Sequence, residues 1–582
     1  MMGNSLVKKA ITNVVKQNIG IDVLLVVAIC GVVITSLVPP QMLRYIIDHN
    51  LVPGSSDKLL SLALAYMGVL LFIGVFDCMK EAVLTVLGQK ITREIRLDMM
   101  AKLANINALF FSTNESGNIV SRFTNDVDAI NSLFTNGIVG MMIDCFKIIG
   151  IVVSIWMFSA TLGMITLILL PIIYSITRLF QKKMLKAQIE NRILVARVNN
   201  HISESLKNIQ MIKVYSKESY MEQSYTERLL DNYQTVEKVN FYDSVFSPII
   251  LLIRAVVIAV IVVLSSKQLN ILGISLGMVA ASIDLISNLF TPIENLGMEL
   301  QNIQQAVSGM HRVNDFYNEP EDDVKNSSLH MDGIVPKREE LSLSFNDVTF
   351  QYEQGTEVLQ DISVQLNPQD NVTFVGRTGV GKSTLFKLVM GLLKPTKGSI
   401  TINGIDVYQI PNLEKRKIFG YVDQSFHTIP GTVAEQISLQ DTSITREQIE
   451  NALDFVGLTD YVGSLENGLD TQVHNDTLFS QGQRQLLAIA RAIVTNPPIL
   501  LLDEITANLD SITEEKVVSV LQKASNAHTI LSISHRLSSM IASDTVVILE
   551  NGRVKNAGSP EMLLQKDEWY RSHIALERLT WS

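Results

Sequence analysis

Apolar residues gather along this chain in six blocks, at about 20–40, 59–80, 135–158, 161–181, 245–266 and 272–296. A helix needs about 20 apolar residues to cross roughly 30 Å of hydrocarbon. The pattern therefore predicts six membrane-spanning helices. Short joints link spans one and two (41–58), three and four (Ser159-Ala160) and five and six (Ser265–Leu272). The connections 81–134 and 182–244 are long. Residues 81–109 mix charges with apolar spacing and hold no proline. That predicts a second span continuing as helix for about 40 Å past the bilayer. The two tips, around Phe110-Phe111 … Gly117 … Asp126 and around Glu204 … Lys213 … Glu218, read as turns rich in Asn, Asp and Gly.

The pattern changes after 318. Residues 319–340 are charged, carry proline and lack long apolar runs, as a linker does. Beyond them short strands alternate with helices, an α/β pattern. Strands are predicted at 343–352, 371–376, 399–403, 418–422, 499–503 and 528–534. Val546–Leu549 and Arg553–Lys555 flank Asn551-Gly552, a hairpin signal. The predicted organisation is a six-span α-helical membrane domain over 1–318, a linker over 319–340 and an α/β domain over 341–582.

Charge orients the spans. The N-terminus carries Lys8, Lys9 and Lys16, and the long connections carry most of the remaining basic residues of this half. The short joints offer Arg44, Lys58 and Lys267. Excess Lys and Arg mark the cytosolic side, so both termini and both long connections are expected there. The basic start before Ile21 could suggest a signal peptide, but the apolar run reaches Val38, ends in Pro39-Pro40 and lacks a small-residue cleavage site. With about twenty residues ahead of this span, no further N-terminal domain is expected.

Composition agrees with a membrane half. Of 582 residues 47% are hydrophobic and 18% charged, against about 25% charged in soluble chains. Those figures exclude a disordered or collagenous chain. Residues 1–340 hold 29 Lys+Arg and 30 Asp+Glu; residues 341–582 hold 19 and 28. The net charge of -10 thus sits mostly on the α/β half, and it argues against a nucleic-acid partner. Cys30, Cys78 and Cys145 lie in apolar runs without metal-site spacing.

Polar residues inside spans are costly and tend to be functional. In the sixth, Asp284, Asn288, Thr291 and Asn295 recur on one helical face. Arg254 lies in the fifth, and Asp144 and Lys147 lie one turn apart in the third. They read either as the lining of a translocation cavity or as interhelical bonding, with Asp144 paired to Lys147.

The sharpest chemistry lies after the linker. Gly376-Arg377-Thr378-Gly379-Val380-Gly381-Lys382-Ser383 fits GxxxxGK[ST] between a strand and an apolar helix. The glycines let backbone N–H groups cradle phosphates, helped by the helix N-terminus. Lys382 reaches the terminal phosphates and Ser383 can hold Mg²⁺. Ile499–Glu504 is an apolar run ending in two acids. There Asp503 would hold the metal and Glu504 would orient or deprotonate the attacking water. His535 follows the last predicted strand, placed for a γ-phosphate. Phe479-Ser480-Gln481-Gly482-Gln483-Arg484-Gln485 opens a helix and makes a second anion site.

These motifs, with the Phe-Phe … Gly … Ser-Arg-x-Thr-Asn-Asp-Val run at 110–127, resemble the exporter-type ATP-binding-cassette (ABC) half-transporters over almost the whole chain. The resemblance implies six membrane helices fused to a P-loop ATPase cassette, with the tips acting as coupling helices. It implies ATP and Mg²⁺, and a signature, Ser480, Gly482 and Gln483, facing the P-loop of a second chain. Thr378, Gly379, Gly381, Lys382, Ser383 and Thr384 would line the phosphates beside Gly376. Tyr352 would stack on adenine, Gln424 would be the Q-loop residue beside the metal, and Ala507-Asn508-Leu509-Asp510 the D-loop. The catalytic set is Glu504, His535 and Lys382; the metal set is Ser383, Gln424 and Asp503.

There are departures. Phe479 and Gln481 stand where Leu and Gly are usual, Asp423 replaces a usual Pro, and Val473–Leu478 lacks the usual Gly-Glu-Arg-Gly run. The implied function is ATP-driven export of an amphiphilic drug, lipid or peptide across the cytoplasmic membrane. An importer, an ATP-gated channel and a non-transporting ATP-binding subunit are the alternatives. The second chain is identical or, as Gln481 suggests, different.

Overall fold

The computed structural model describes residues 6–54, 58–268, 275–322, 341–352, 355–474, 478–506, 509–534 and 543–580. The chain divides into two compact units, Met1–Ala104 with Glu115–Glu319, and Asn105–Asn114 with Pro320–Ser582.

The first unit is α-helical. Among the described residues, six helical stretches are long and apolar enough to cross a membrane: Ile19–Leu51, Leu59–Leu103, Ser116–Phe158, Ala160–Lys207, Glu218–Val263 and Leu276–Asn318. The second is one uninterrupted 45-residue helix, so it continues well beyond its apolar block, to Leu103. Pro39-Pro40 do not end the first span; its helix runs through them to Ile46. Each proline lacks the N–H that would bond the carbonyl four residues back, that of Thr35 or Ser36. The hydroxyls of the same two residues bond further back, Thr35 to the Gly31 carbonyl at 2.6 Å and Ser36 to that of Val33 at 2.8 Å. A helix not expected from the apolar blocks, Leu6–Gln17, precedes the first span and buries Val7, Ala10 and Val14.

The sixth span is interrupted. Helix Leu276–Ser287 stops at Asn288-Leu289 and resumes as Phe290–Asn318. Pro292 explains the break, since its ring would clash with the carbonyl of Asn288 in a continuous helix. Around the break, Leu285, Ile286, Leu289, Phe290 and Ile293 pack with Ile151, Ile155, Ile250 and Val257 of the third and fifth spans. The tip predicted as a turn is a run of short helices instead, including Ser116–Ser121 and Val127–Ser132. Its Asp126, 6% exposed, accepts from Arg312 of the resumed helix at 2.5 and 2.9 Å, a two-pronged ion pair.

The second unit is α/β. Its six-stranded sheet runs Arg553–Gly558, Thr545–Glu550, Asn371–Gly376, Thr529–Ile533, Ile499–Asp503, Phe419–Val422. All neighbours are parallel except the first pair, the hairpin expected around Asn551-Gly552. A second, antiparallel sheet contains Leu343–Gln351 between Glu357–Leu366 and Lys397–Ile402. The strand Glu357–Leu366 is not announced by the sequence pattern, because its core positions are sparse, with Leu359, Ile362 and Leu366 buried. Apart from half-buried Asn371, the central strands Asn371–Gly376, Thr529–Ile533 and Ile499–Asp503 are buried, which is why they read as nearly continuous apolar runs. Helix Ala108–Thr113 belongs to this unit. Asn107 caps it by accepting from the Leu109 N–H at 2.9 Å, and Leu109 packs on the core of this unit. Of the expected linker, 323–340 lie outside the described residues.

Candidate functional site

In a parallel sheet the strand ends gather at one edge, and ligand sites form there. Asn371–Gly376 runs into the loop before helix Lys382–Val389. Gly376, Gly379 and Gly381 all have positive φ, and Gly381, at +104°, caps the helix. A Cβ at Gly381 would stand 2.8 Å from Leu359 Cδ2 in backbone space that L residues rarely use. Thr378 and Gly379 are exposed at the loop's outer bend.

Lys382 is 6% exposed and donates to the carbonyls of Gly376 at 2.7 Å and Arg377 at 3.3 Å. Burial pushes its ammonium below the ordinary lysine range, and the Glu504 and Asp503 carboxylates oppose that. Thr384, buried, shares a 3.1 Å hydrogen bond with the Tyr352 hydroxyl. The adenine-stacking candidate thus stands beside the loop's helix.

The adjoining strands bring the acids to the same place. Asp503, buried at the end of Ile499–Asp503, hydrogen-bonds Ser383. Burial and the neighbouring Glu504 push its carboxyl up to about 6. A buried carboxylate beside a hydroxyl is a donor set that suits a hard divalent cation. Glu504 has φ +47°, a left-handed backbone unusual outside glycine. Its Oε2 accepts from Gln424 Nε2 at 2.9 Å. Gln424 follows strand Phe419–Val422, and its own N–H donates to Asp423 at 2.8 Å. So Asp423, the replacement for a usual proline, shapes the turn that carries Gln424. Lys382, Ser383, Gln424, Asp503 and Glu504 are thereby linked by direct bonds or charge interactions.

The signature residues sit elsewhere in the unit. Ser480 caps helix Gln481–Ile493 in a reciprocal box with Gln483. Gly482 is buried against helix Ser511–Ser525, where a Cβ would lie 2.1 Å from Thr513 Cγ2. Asp510 caps that helix, accepting from the Thr513 N–H at 3.0 Å and its hydroxyl at 2.7 Å. Phe479 is buried and packs on Tyr461, which accounts for an apolar ring at this departure. His535, Ala507-Asn508 and Asn475–Thr477 lie outside the described residues.

In the membrane unit, Asp284 is half-buried and near enough to Arg254 to interact with it electrostatically. Asn288 and Thr291 are exposed and Asn295 half-buried. Among the described residues no ion pair joins Asp144 to Lys147. Glu299 was missed by the sequence reading, although it lies one helical turn after Asn295. Among the described residues no three His, Cys, Asp or Glu side chains gather as a metal site.

Comparison with known proteins matches the models of two regions, the ABC transporter transmembrane region over residues 23–293 and the ABC transporter over 359–507. A probable multidrug resistance ABC transporter ATP-binding/permease protein of Bacillus subtilis is 27% identical, covering 88% of this chain and 76% of its own. An ATP-dependent lipid A-core flippase of Pseudomonas fluorescens is 29% identical, covering 82% and 79%. Among solved structures, a bacterial Atm1-family ABC exporter with ATP bound superposes with a TM-score of 0.76 at 24% identity, covering 97% and 98%.

Proposed function

We propose that this chain, which belongs to the ABC transporters and is an exporter-type half-transporter, moves an amphiphilic drug, lipid or peptide outward by alternating access. ATP-driven transport and a multi-pass membrane location come with the family. The half-transporter architecture implies a dimer. The basic N-terminus and long connections support cytosolic termini in the cytoplasmic membrane.

One observation carries the reading: the Glu504 carboxylate, beside Lys382 and Asp503, is tied to Gln424. Lys382 and the loop amides would hold the terminal phosphates. Glu504 would orient the attacking water and take its proton on a carboxylate oxygen. His535 would contact the γ-phosphate. When bound, Mg²⁺ would be held by Ser383, Gln424 and Asp503 and would neutralise phosphate charge. The Ser480 helix N-terminus, with Gly482 and Gln483, would close on the ATP of the second chain, with Asp510 beside it. Switching a two-state cavity from 1:99 to 99:1 needs about 5.5 kcal/mol of differential binding, and two such closures are the natural source.

The test is ATP-dependent accumulation in inside-out vesicles against a panel of drugs, lipids and peptides. Accumulation that needs ATP supports export; ATP-dependent loss from preloaded vesicles would mean import. Purification of the tagged chain with its native partner, followed by mass spectrometry, decides between an identical and a different second chain.

A further inference from the structure

Within the membrane unit a cavity of about 370 Å³ opens between the second, third and sixth spans. Its lining includes Lys80, Glu81, Asp144, Lys147 and Glu299. Asp144 is 7% and Glu299 8% exposed. Asp144 Oδ2 and Glu299 Oε2 each lack a hydrogen-bond partner. Buried carboxylate oxygens are normally paired, because an unpaired one forfeits its hydration.

The basic residues nearby do not balance them. Lys80 is held by its own helix, 3.0 Å from Asp77 and 3.1 Å from Glu81. Lys147 forms no ion pair among the described residues and interacts at longer range with Asp144, leaving Glu299 without a basic partner. The Glu299 seat is specific as well. A Cβ at Gly140 would lie 2.3 Å from Glu299 Oε1, so only glycine lets the carboxyl settle against this turn. Asn295 and Asn302, on the same face as Glu299, add neutral polar groups, while Leu84, Ile143 and Met298 add apolar wall.

We propose that Asp144 and Glu299 form the recognition site for an organic monocation, the ammonium head of a cationic amphiphile. An ammonium supplies donors or a diffuse positive charge to both orphan oxygens, and the apolar wall receives its first methylenes. The volume suits a head group and lies in the range of small-molecule clefts. This deepens the export reading and rests on it for the idea that the occupant is cargo.

Binding is measured without nucleotide, on the full protein in phosphatidylcholine nanodiscs with empty discs subtracted. The probes are dodecyltrimethylammonium, dodecanol and dodecyl sulfate. The cation is expected to bind about tenfold tighter than dodecanol, as one charge-assisted contact allows. Asp144→Asn and Glu299→Gln should each abolish that preference and leave dodecanol unchanged. Gly140→Ala should weaken the cation by displacing Glu299. If a carboxamide variant fails to fold, as thermal unfolding would show, Lys147→Gln is the independent probe and should tighten the cation. Equal binding of cation and dodecanol, tighter dodecyl sulfate, or a preference surviving both carboxamide variants would overturn the proposal. Failure of the export reading looks different: cation binding persists while ATP drives no vesicle accumulation.

Discussion

Gln424 Nε2 donates to Glu504 Oε2 at 2.9 Å, joining the loop after one sheet strand to the acid just past the end of its neighbour. Glu504 leaves its strand with φ +47°. A carboxylate held this way is aimed before any ligand arrives.

Glu504→Gln should retain ATP binding and lower hydrolysis by at least about 100-fold, the usual weight of a positioned general base. Phosphate release and retained radiolabelled ATP, measured on one purified sample, check it. Near-normal phosphate release would remove Glu504 from the catalytic set.

Gly482→Ala should destabilise the cassette by about 1–3 kcal/mol, the usual range for overpacking a core. The added methyl would meet Thr513 Cγ2 at 2.1 Å. Thr513→Ser removes that methyl and keeps the hydroxyl that donates to Asp510. The double variant should therefore regain stability in thermal unfolding. If ATPase returns with it, Gly482 serves packing; if ATPase stays low, Gly482 also serves the nucleotide.

Asp126→Ala should cost about 2 kcal/mol, below the range for a wholly buried pair because Arg312 is 53% exposed. Arg312→Ala in the same background should add little, since the remaining partner is already unpaired. A double-mutant cycle by thermal unfolding measures the coupling. Additive losses would show that the two-pronged bond contributes nothing.

Asp567 makes the acid limit of the cassette testable. Burial would raise its carboxyl, but the Tyr570 N–H and the Asn556 amide hold it below the ordinary 3.8. A depressed folded-state value stabilises fully above the unfolded value and is lost as pH falls through the folded one. The stability gap between wild type and Asp567→Asn should therefore shrink on going from about pH 5 to about pH 3. Parallel unfolding curves across that window would refute it.

Much of this was legible in the chain. Twenty-residue apolar blocks announce spans because hydrocarbon tolerates little else. GxxxxGK[ST] announces a phosphate loop because its glycines and lysine act within eight consecutive residues. Ile499–Leu502 announces a central strand because both its faces are buried. Other features were decided by packing. Pro39-Pro40 looks like a stop, yet the helix runs through both to Ile46, while Pro292 breaks a span that reads as continuous. The stripe ending at Asn295 does not point to Glu299. That residue acquires meaning only where Gly140 and Asp144, about 150 positions away in the chain, come to face it. Local order reveals whatever depends on neighbours in sequence, such as span length, loop motifs and strand burial. Which buried acids lack a partner depends on helices meeting at a distance, and only the folded chain decides that.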